Sequence, residues 1–166
     1  MSSETDDGME FFSREDGEVL VTLVKCEDLF DCDQKATGMF GMMSHDEIDP
    51  YVQIRPSWLP EDSSKSASRT KALDGAGRNP QFLEKLKDKA TLSFRFKKDQ
   101  IKDEEPALFF TVYDANRFGG PAFIGEYKWT IPNKVFSHKA TKDSLPLEFA
   151  EKLNIKTKYK KDKRNR

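Results

Sequence analysis

Hydrophobic positions along this chain recur mostly with a period of two residues. Residues 91–97 alternate between an apolar and a polar face, and in residues 18–25 both faces are largely apolar. Alternation is typical of a half-buried strand, and short runs rich in β-branched and aromatic residues also favour strands. The same criteria predict six further strands, at residues 51–55, 69–73, 108–113, 123–131, 145–149 and 153–159.

A helical period is confined to residues 82–89, where Leu83 and Leu86 share one face. Eight short strands with no alternation of strand and helix predict an all-β fold, an eight-stranded antiparallel Greek-key β-sandwich. The sandwich is predicted over residues 18–159, with a long first loop and a short helical insertion. Residues 1–17 are predicted to be an acidic flexible tail and residues 160–166 a basic tail.

The net charge of -1 hides a separation of charge along the chain. The charged residues among the first sixteen are all acidic apart from Arg14, and those from Lys156 onward are all basic apart from Asp162. A basic end is available to an anionic partner, which could be a membrane or a nucleic acid. No aromatic stacking platform accompanies the basic end, so nucleic acid is not predicted as a partner.

Several classes of protein are excluded by simple counts. Two cysteines, Cys26 and Cys32, do not form a disulfide framework in a chain of 166 residues. No apolar run approaches the roughly 20 residues that span a bilayer, and none follows Met1 as in a secretory signal. His45 and His138 lie in no nucleophile or zinc motif. The chain is therefore predicted to be cytoplasmic, monomeric and without enzymatic activity.

Candidate metal ligands gather in two loops. Acidic residues precede the second strand, and an Asp-Ala-Asn run follows the fifth strand. Calcium prefers six to eight hard oxygen ligands of this kind, whereas Asp and Asn are also ordinary turn residues. Because loops at one end of a sandwich converge, the clusters together favour a site. The residues suited to it are Asp46, Asp49, Asp114, Asn116 and the carbonyl of Ala115.

The run from Asp49 to Ile54 resembles the Asp-Pro-Tyr-Val signature of C2 domains. Further landmarks follow in the C2 order: Arg69-Thr70-Lys71, Asn79-Pro80, Val112-Tyr113-Asp114-Ala115-Asn116 and Phe123-Ile124-Gly125. The chain resembles C2 domains of the cytosolic phospholipase A2 kind, and this resemblance implies the circularly permuted, type II topology. It also implies calcium ligand roles for Asp46, Asp49, Asp114, Asn116 and the carbonyl of Ala115, and it adds Glu47. Asn116 stands where many C2 domains have a second Asp, and this loss of a carboxylate predicts weaker calcium binding.

The long first loop carries a cluster of apolar residues, Met39, Phe40, Met42 and Met43, and Phe118 lies on a neighbouring loop. Each such side chain gains roughly 1.5–3 kcal/mol on leaving water, so beside a calcium site they are predicted to insert into a membrane. The alternative is that the loop folds back and buries these side chains on the domain.

Basic residues recur at a spacing of two on the third and fourth strands, as Arg69 with Lys71 and Arg95 with Lys97. If these two strands pair, the four side chains form a patch for anionic lipid. The alternative is an ordinary solvated charged face.

The function predicted from the sequence is calcium-dependent phospholipid binding by a membrane-targeting module, peripheral to the membrane when calcium is bound. Whether the lipid is anionic or zwitterionic is left open. The alternative is a calcium-independent C2 scaffold that binds a protein partner or a phosphoinositide.

Overall fold

The described part of the chain contains six β-strands in two antiparallel sheets. The computed structural model describes residues 16–30, 47–60, 67–97, 99–101, 105–115 and 120–132. The strands are β1 (Gly17–Thr22), β2 (Pro50–Pro56), β3 (Ser68–Arg69), β4 (Thr91–Phe96), β5 (Ala107–Asp114) and β6 (Ala122–Thr130). The first sheet pairs β1 with β4, and the second has the order β3-β2-β5-β6.

The four-stranded sheet is organised around β2 and β5, which pair from Pro50 opposite Asp114 to Pro56 opposite Leu108. Proline lacks the N–H that a strand interior needs, so its place at the two ends of β2 is consistent with a central strand. Apolar side chains of these strands alternate toward the core, where Val52, Ile54 and Val112 are at most 2 % exposed.

The third strand is shorter than the predicted residues 69–73. Regular pairing ends at Arg69, and Thr70 then bonds Val52 twice. The Thr70 N–H donates to the Val52 carbonyl (2.9 Å), and the Thr70 hydroxyl accepts from the Val52 N–H (3.1 Å). Because the side chain replaces a backbone acceptor, the segment stays beside β2 without remaining a regular strand.

Only one of the two apolar faces of residues 18–25 is turned to the core. Val19 and Val21 pack against the core, but Leu20 and Val24 are 62 % and 55 % exposed. The face with Leu20 therefore points away from the core.

The predicted helical insertion is present as two short pieces, α1 (Phe82–Leu86) and a 3-10 helix (Lys87–Ala90). Lys87 has a φ of 53°, which ends the α-helix after five residues. Phe82, which is completely buried, fixes the helix to the core, while Leu83 remains 40 % exposed. The helix therefore packs on the core through Phe82 and the partly buried Leu86, and not through the predicted pair of Leu83 and Leu86.

One core lies between the two sheets. It includes Phe94 and Phe96 from β4 and Ile54, Leu108 and Phe110 from the other sheet. This packing confirms the predicted antiparallel β-sandwich. The predicted strands at residues 145–149 and 153–159 and the two predicted tails, apart from Asp16 and Gly17, lie outside the described residues. Within the described part, no helix is long and apolar enough to cross a membrane.

Candidate metal centre

Asp49 and Asp114 meet at one end of the sandwich. Asp49 immediately precedes β2 and Asp114 ends β5, and the antiparallel pairing of these strands places the two residues side by side. The Asp49 N–H donates to Oδ1 of Asp114 (2.8 Å), and the Ala115 N–H donates to the Asp49 carbonyl (3.0 Å). Asp114 is only 2 % exposed, whereas Asp49 is half-buried. The structure therefore places Asp49 and Asp114 next to each other at the same end of the sandwich.

A third segment, residues 73–77, closes against the same end. The N–H of Leu73 donates to the Pro50 carbonyl (3.1 Å), and that of Gly77 donates to the Ile48 carbonyl (3.1 Å). Between them, the Gly75 N–H donates to Oδ1 of Asp49 (2.6 Å). Gly75 and Gly77 have φ values of 60° and 61°, a region that residues with a Cβ rarely adopt.

This third segment contains Asp74, which was not among the predicted ligands and directly precedes the Gly75 N–H that bonds Asp49. The signal available in the sequence was the Asp74-Gly75 turn dipeptide. An Asp-Gly pair marks a turn in many proteins, and only the hydrogen bond from Gly75 to Asp49 shows which turn this one joins.

Glu47 lies in the same region. A methyl group added at Gly77 would be 3.7 Å from Oε2 of Glu47, so the Glu47 carboxylate faces this turn. Asp46 and Asn116 lie outside the described residues, as do all five predicted insertion residues: Met39, Phe40, Met42, Met43 and Phe118. Among the side chains that the structure describes, no group of three or more His, Cys, Asp or Glu residues is arranged to hold a metal ion.

An aromatic row crosses the outer face of the four-stranded sheet next to Asp114. Tyr51 and Tyr113 stack at 5.4 Å between ring centroids, and Phe123 meets Tyr113 edge-on at 6.1 Å. Burial, with smaller contributions from the neighbouring Tyr51 and Glu126, raises the pKa of Tyr113. The Arg69 guanidinium lies 5.4 Å from the Tyr51 ring centroid, so a cation and an aromatic surface occur together at this end.

The predicted pairing of the two basic strands is wrong. Strand β3, with Arg69, belongs to the four-stranded sheet, whereas β4, with Arg95, pairs with β1 in the other sheet. Arg69, Lys71, Arg95 and Lys97 are all exposed, but strand pairing does not join them into one patch. The Arg95 Nε lies 3.6 Å from Oε1 of Glu18 on the outer face of β1.

A model of the C2 domain family matches residues 17–147, which is most of the chain. The chain is a member of the C2 domain family. The family predicted from the Asp49 to Ile54 signature is thereby confirmed. C2 domains are typically non-catalytic modules, many of which target membranes, and no catalytic family is indicated for this chain. Comparison with the curated proteins gave no match.

Comparison with solved structures gave matches. Human GIVD cytosolic phospholipase A2, in complex with methyl gamma-linolenyl fluorophosphonate, is 16% identical with a TM-score of 0.51. The match covers 81% of this chain and 15% of the phospholipase chain, and at this identity the likeness is one of fold alone. A C2 domain of RIM from Drosophila is 24% identical with a TM-score of 0.49, over 76% of this chain and 81% of that chain.

Proposed function

We propose that this C2 domain binds phospholipid membranes in a calcium-dependent manner through the end that carries Asp49 and Asp114. The observation that supports this proposal is the convergence of three segments, at residues 47–49, 73–77 and 114–115, on one end of the sandwich. A role in a turn would explain each acidic residue separately. It would not require the carboxylate just before β2 and the carboxylate at the end of β5 to be adjacent.

The donors at this end are of the type that calcium prefers. They are carboxylates and backbone carbonyls, which are hard oxygen ligands. The proposed ligands are Asp46, Asp49, Asp114, Asn116, the Ala115 carbonyl and Glu47, and Asp74 is added because of the position of its loop. When bound, calcium would supply positive charge that offsets the carboxylates and attracts lipid phosphate.

Asp114 also has a structural role that does not depend on its charge. Its Oδ1 accepts the Asp49 N–H, and an amide oxygen could accept the same bond. Asp114→Asn therefore removes a negative charge while it keeps an acceptor for Asp49. Asp99→Asn is a matched control, because Asp99 is an exposed carboxylate in the turn after β4, at the opposite end.

The test is binding of the full chain to phospholipid vesicles in calcium and in chelator, together with thermal unfolding under both conditions. We expect calcium to promote binding and raise the melting temperature, because a ligand at one hundred times its Kd stabilises by about 2.7 kcal/mol. Asp114→Asn should raise the calcium concentration at half-maximal vesicle binding at least tenfold. Asp99→Asn should leave that concentration as it is in the unsubstituted protein.

Three outcomes would contradict the proposal. Unchanged vesicle binding and unfolding up to millimolar calcium would exclude calcium dependence. Vesicle binding retained in chelator would instead favour the calcium-independent alternative, with Arg69 beside Tyr51 as the first residue to substitute. An equal calcium response in the Asp114→Asn and Asp99→Asn variants would place any calcium site elsewhere.

A further inference from the structure

A cleft of about 450 Å³ opens at the end of the sandwich opposite Asp49 and Asp114. It lies between the start of β1, the end of β4 and the turn that follows β2. Leu59 and Phe96 supply apolar walls, and Arg95 and Lys97 are cations among its lining residues. Its volume is within the range of roughly 300–1,000 Å³ that is usual for ligand pockets.

The cleft is built from fixed parts. Phe96 lies so close to the backbone of Gly17 that a Cβ there would be 2.6 Å from Cζ of the ring. Trp58 packs edge-on against Phe96 at 6.0 Å between centroids, and its indole N–H donates to the Arg95 carbonyl (3.3 Å). These contacts hold the Phe96 ring in one place, so the cleft needs no rearrangement to accept an apolar group.

The backbone of Lys97 is held in a turn by two hydrogen bonds to Gln100. The Lys97 N–H donates to Oε1 of Gln100 (3.0 Å), and the Gln100 N–H donates to the Lys97 carbonyl (3.0 Å). The side chain of Lys97 is left to extend from this turn, and Lys98 follows it in the sequence. Arg95 already lies 3.6 Å from Glu18, so Lys97 is the cation on which an anionic occupant would depend most.

Residues 1–15 have the complementary chemistry and precede the cleft directly in the chain. Asp16 lines the cleft, and the residues before it carry acidic side chains around the pair Phe11-Phe12. The four residue steps from Phe12 to Asp16 span at most about 14 Å when the chain is extended. A phenyl ring from this segment can therefore reach Leu59 and Phe96.

We propose that the acidic segment 1–15 of the same chain docks in this cleft. A ring of Phe11 or Phe12 packs on Leu59 and Phe96, and the flanking carboxylates face Lys97. Docking covers the cations of this end, so the segment acts as an internal competitor of other anionic partners. The proposal does not depend on calcium binding at the other end of the domain.

The first test is amide hydrogen exchange of residues 10–15 in the full chain. We expect Lys97→Glu to accelerate this exchange at least tenfold, because the substitution replaces attraction by repulsion while the backbone bonds to Gln100 remain. Lys89→Glu is the matched control, since Lys89 is an exposed lysine of the 3-10 helix that does not line the cleft. Exchange of residues 10–15 at the rate of an unstructured chain in the unsubstituted protein would overturn the proposal.

The second test addresses the phenyl rings. Phe11→Ser with Phe12→Ser in the full chain should shift the amide resonances of Leu59 and Gln100, which are remote from the segment in sequence. A synthetic peptide of residues 1–15 added to this double variant should restore them. Unchanged Leu59 and Gln100 resonances in the double variant would refute docking. Shifts that depend on protein concentration would assign the cleft to the segment of a second copy and also overturn the proposal.

Discussion

The side chain of Asp114 combines a negative charge with a role as a hydrogen-bond acceptor at one end of the sandwich. Asp114 is a buried carboxylate, and burial of a charged group is costly unless it is hydrogen-bonded. Its bond from the Asp49 N–H meets part of that requirement and also fixes the residue before β2. The charge of Asp114 is thus separable from its role as an acceptor, which is why the amide substitution is informative.

Cys26 is the titratable residue that burial perturbs most clearly. Desolvation raises its pKa from 9.0 to about 11, so the folded protein favours the neutral thiol. Because the folded pKa lies above the unfolded one, the stabilisation is complete below pH 9 and is lost as pH rises toward 11. We expect Cys26 to remove roughly 2 kcal/mol from the free energy of unfolding between pH 8 and pH 10.5.

The measurement is chemical denaturation of the unsubstituted protein and of Cys26→Ala at both pH values. The variant lacks the titrating thiol, so the difference between the two pH dependences isolates Cys26 from the tyrosines and lysines that titrate in the same range. Parallel pH dependences in the two proteins would show that the Cys26 pKa is not raised.

The loop elements at the candidate metal centre are positioned by backbone groups more than by side chains. Residues 73–77 are anchored to residues 48–50 by N–H donors of Leu73, Gly75 and Gly77. Two of these donors are glycines with positive φ, so the path of the loop beside β2 depends on residues that adopt this conformation without strain.

Substitution of Gly75 tests this dependence. Gly75→Ala forces a residue with a Cβ into the left-handed region, at a cost of about 1–2 kcal/mol in the free energy of unfolding. Gly120→Ala is the control, because a Cβ at Gly120 would meet no atom of the described residues within 4 Å. We expect thermal unfolding to show a loss of a few degrees for Gly75→Ala and little change for Gly120→Ala. Equal melting temperatures would mean that the turn adapts.

At the scale of the whole molecule, the sandwich separates two surfaces. Strand β5 has eight residues from Ala107 to Asp114, which at about 3.4 Å per residue is roughly 27 Å. The Asp49–Asp114 end and the Lys97 cleft therefore lie at opposite ends of the sandwich, with the core between them.

This separation predicts independence of the two ends. Substitutions at sites more than about 10 Å apart with no shared partner usually add within about 0.5 kcal/mol. We expect the calcium concentration at half-maximal vesicle binding to be the same for Lys97→Glu as for the unsubstituted protein. The unfolding free energies of Lys97→Glu and Asp114→Asn should add in the double variant. A coupling well above about 0.5 kcal/mol would indicate communication along the sandwich.

The candidate site could be predicted from the sequence only in part. Asp49 and Asp114 were identifiable because each lies next to a strand whose alternation is clear, and antiparallel pairing then brings them together. Asp74 was not included among the predicted ligands, because a turn dipeptide does not indicate which residues it lies beside. The ligand roles of all the predicted residues, Asp49 and Asp114 included, stay predictions, as does the insertion of the apolar residues of the first loop.

The sequence by itself determined the family and the strand-rich fold, since alternation and the Asp49 to Ile54 signature are local properties of the chain. Only the tertiary structure decided which strands are neighbours, because hydrogen-bonded pairing depends on contacts between residues far apart in sequence. For that reason Arg69 and Arg95 belong to different sheets, Leu20 faces away from the core, and Phe82 fixes the short helix. The same long-range packing created the cleft beside Lys97, for which the sequence supplied the residues but not their arrangement.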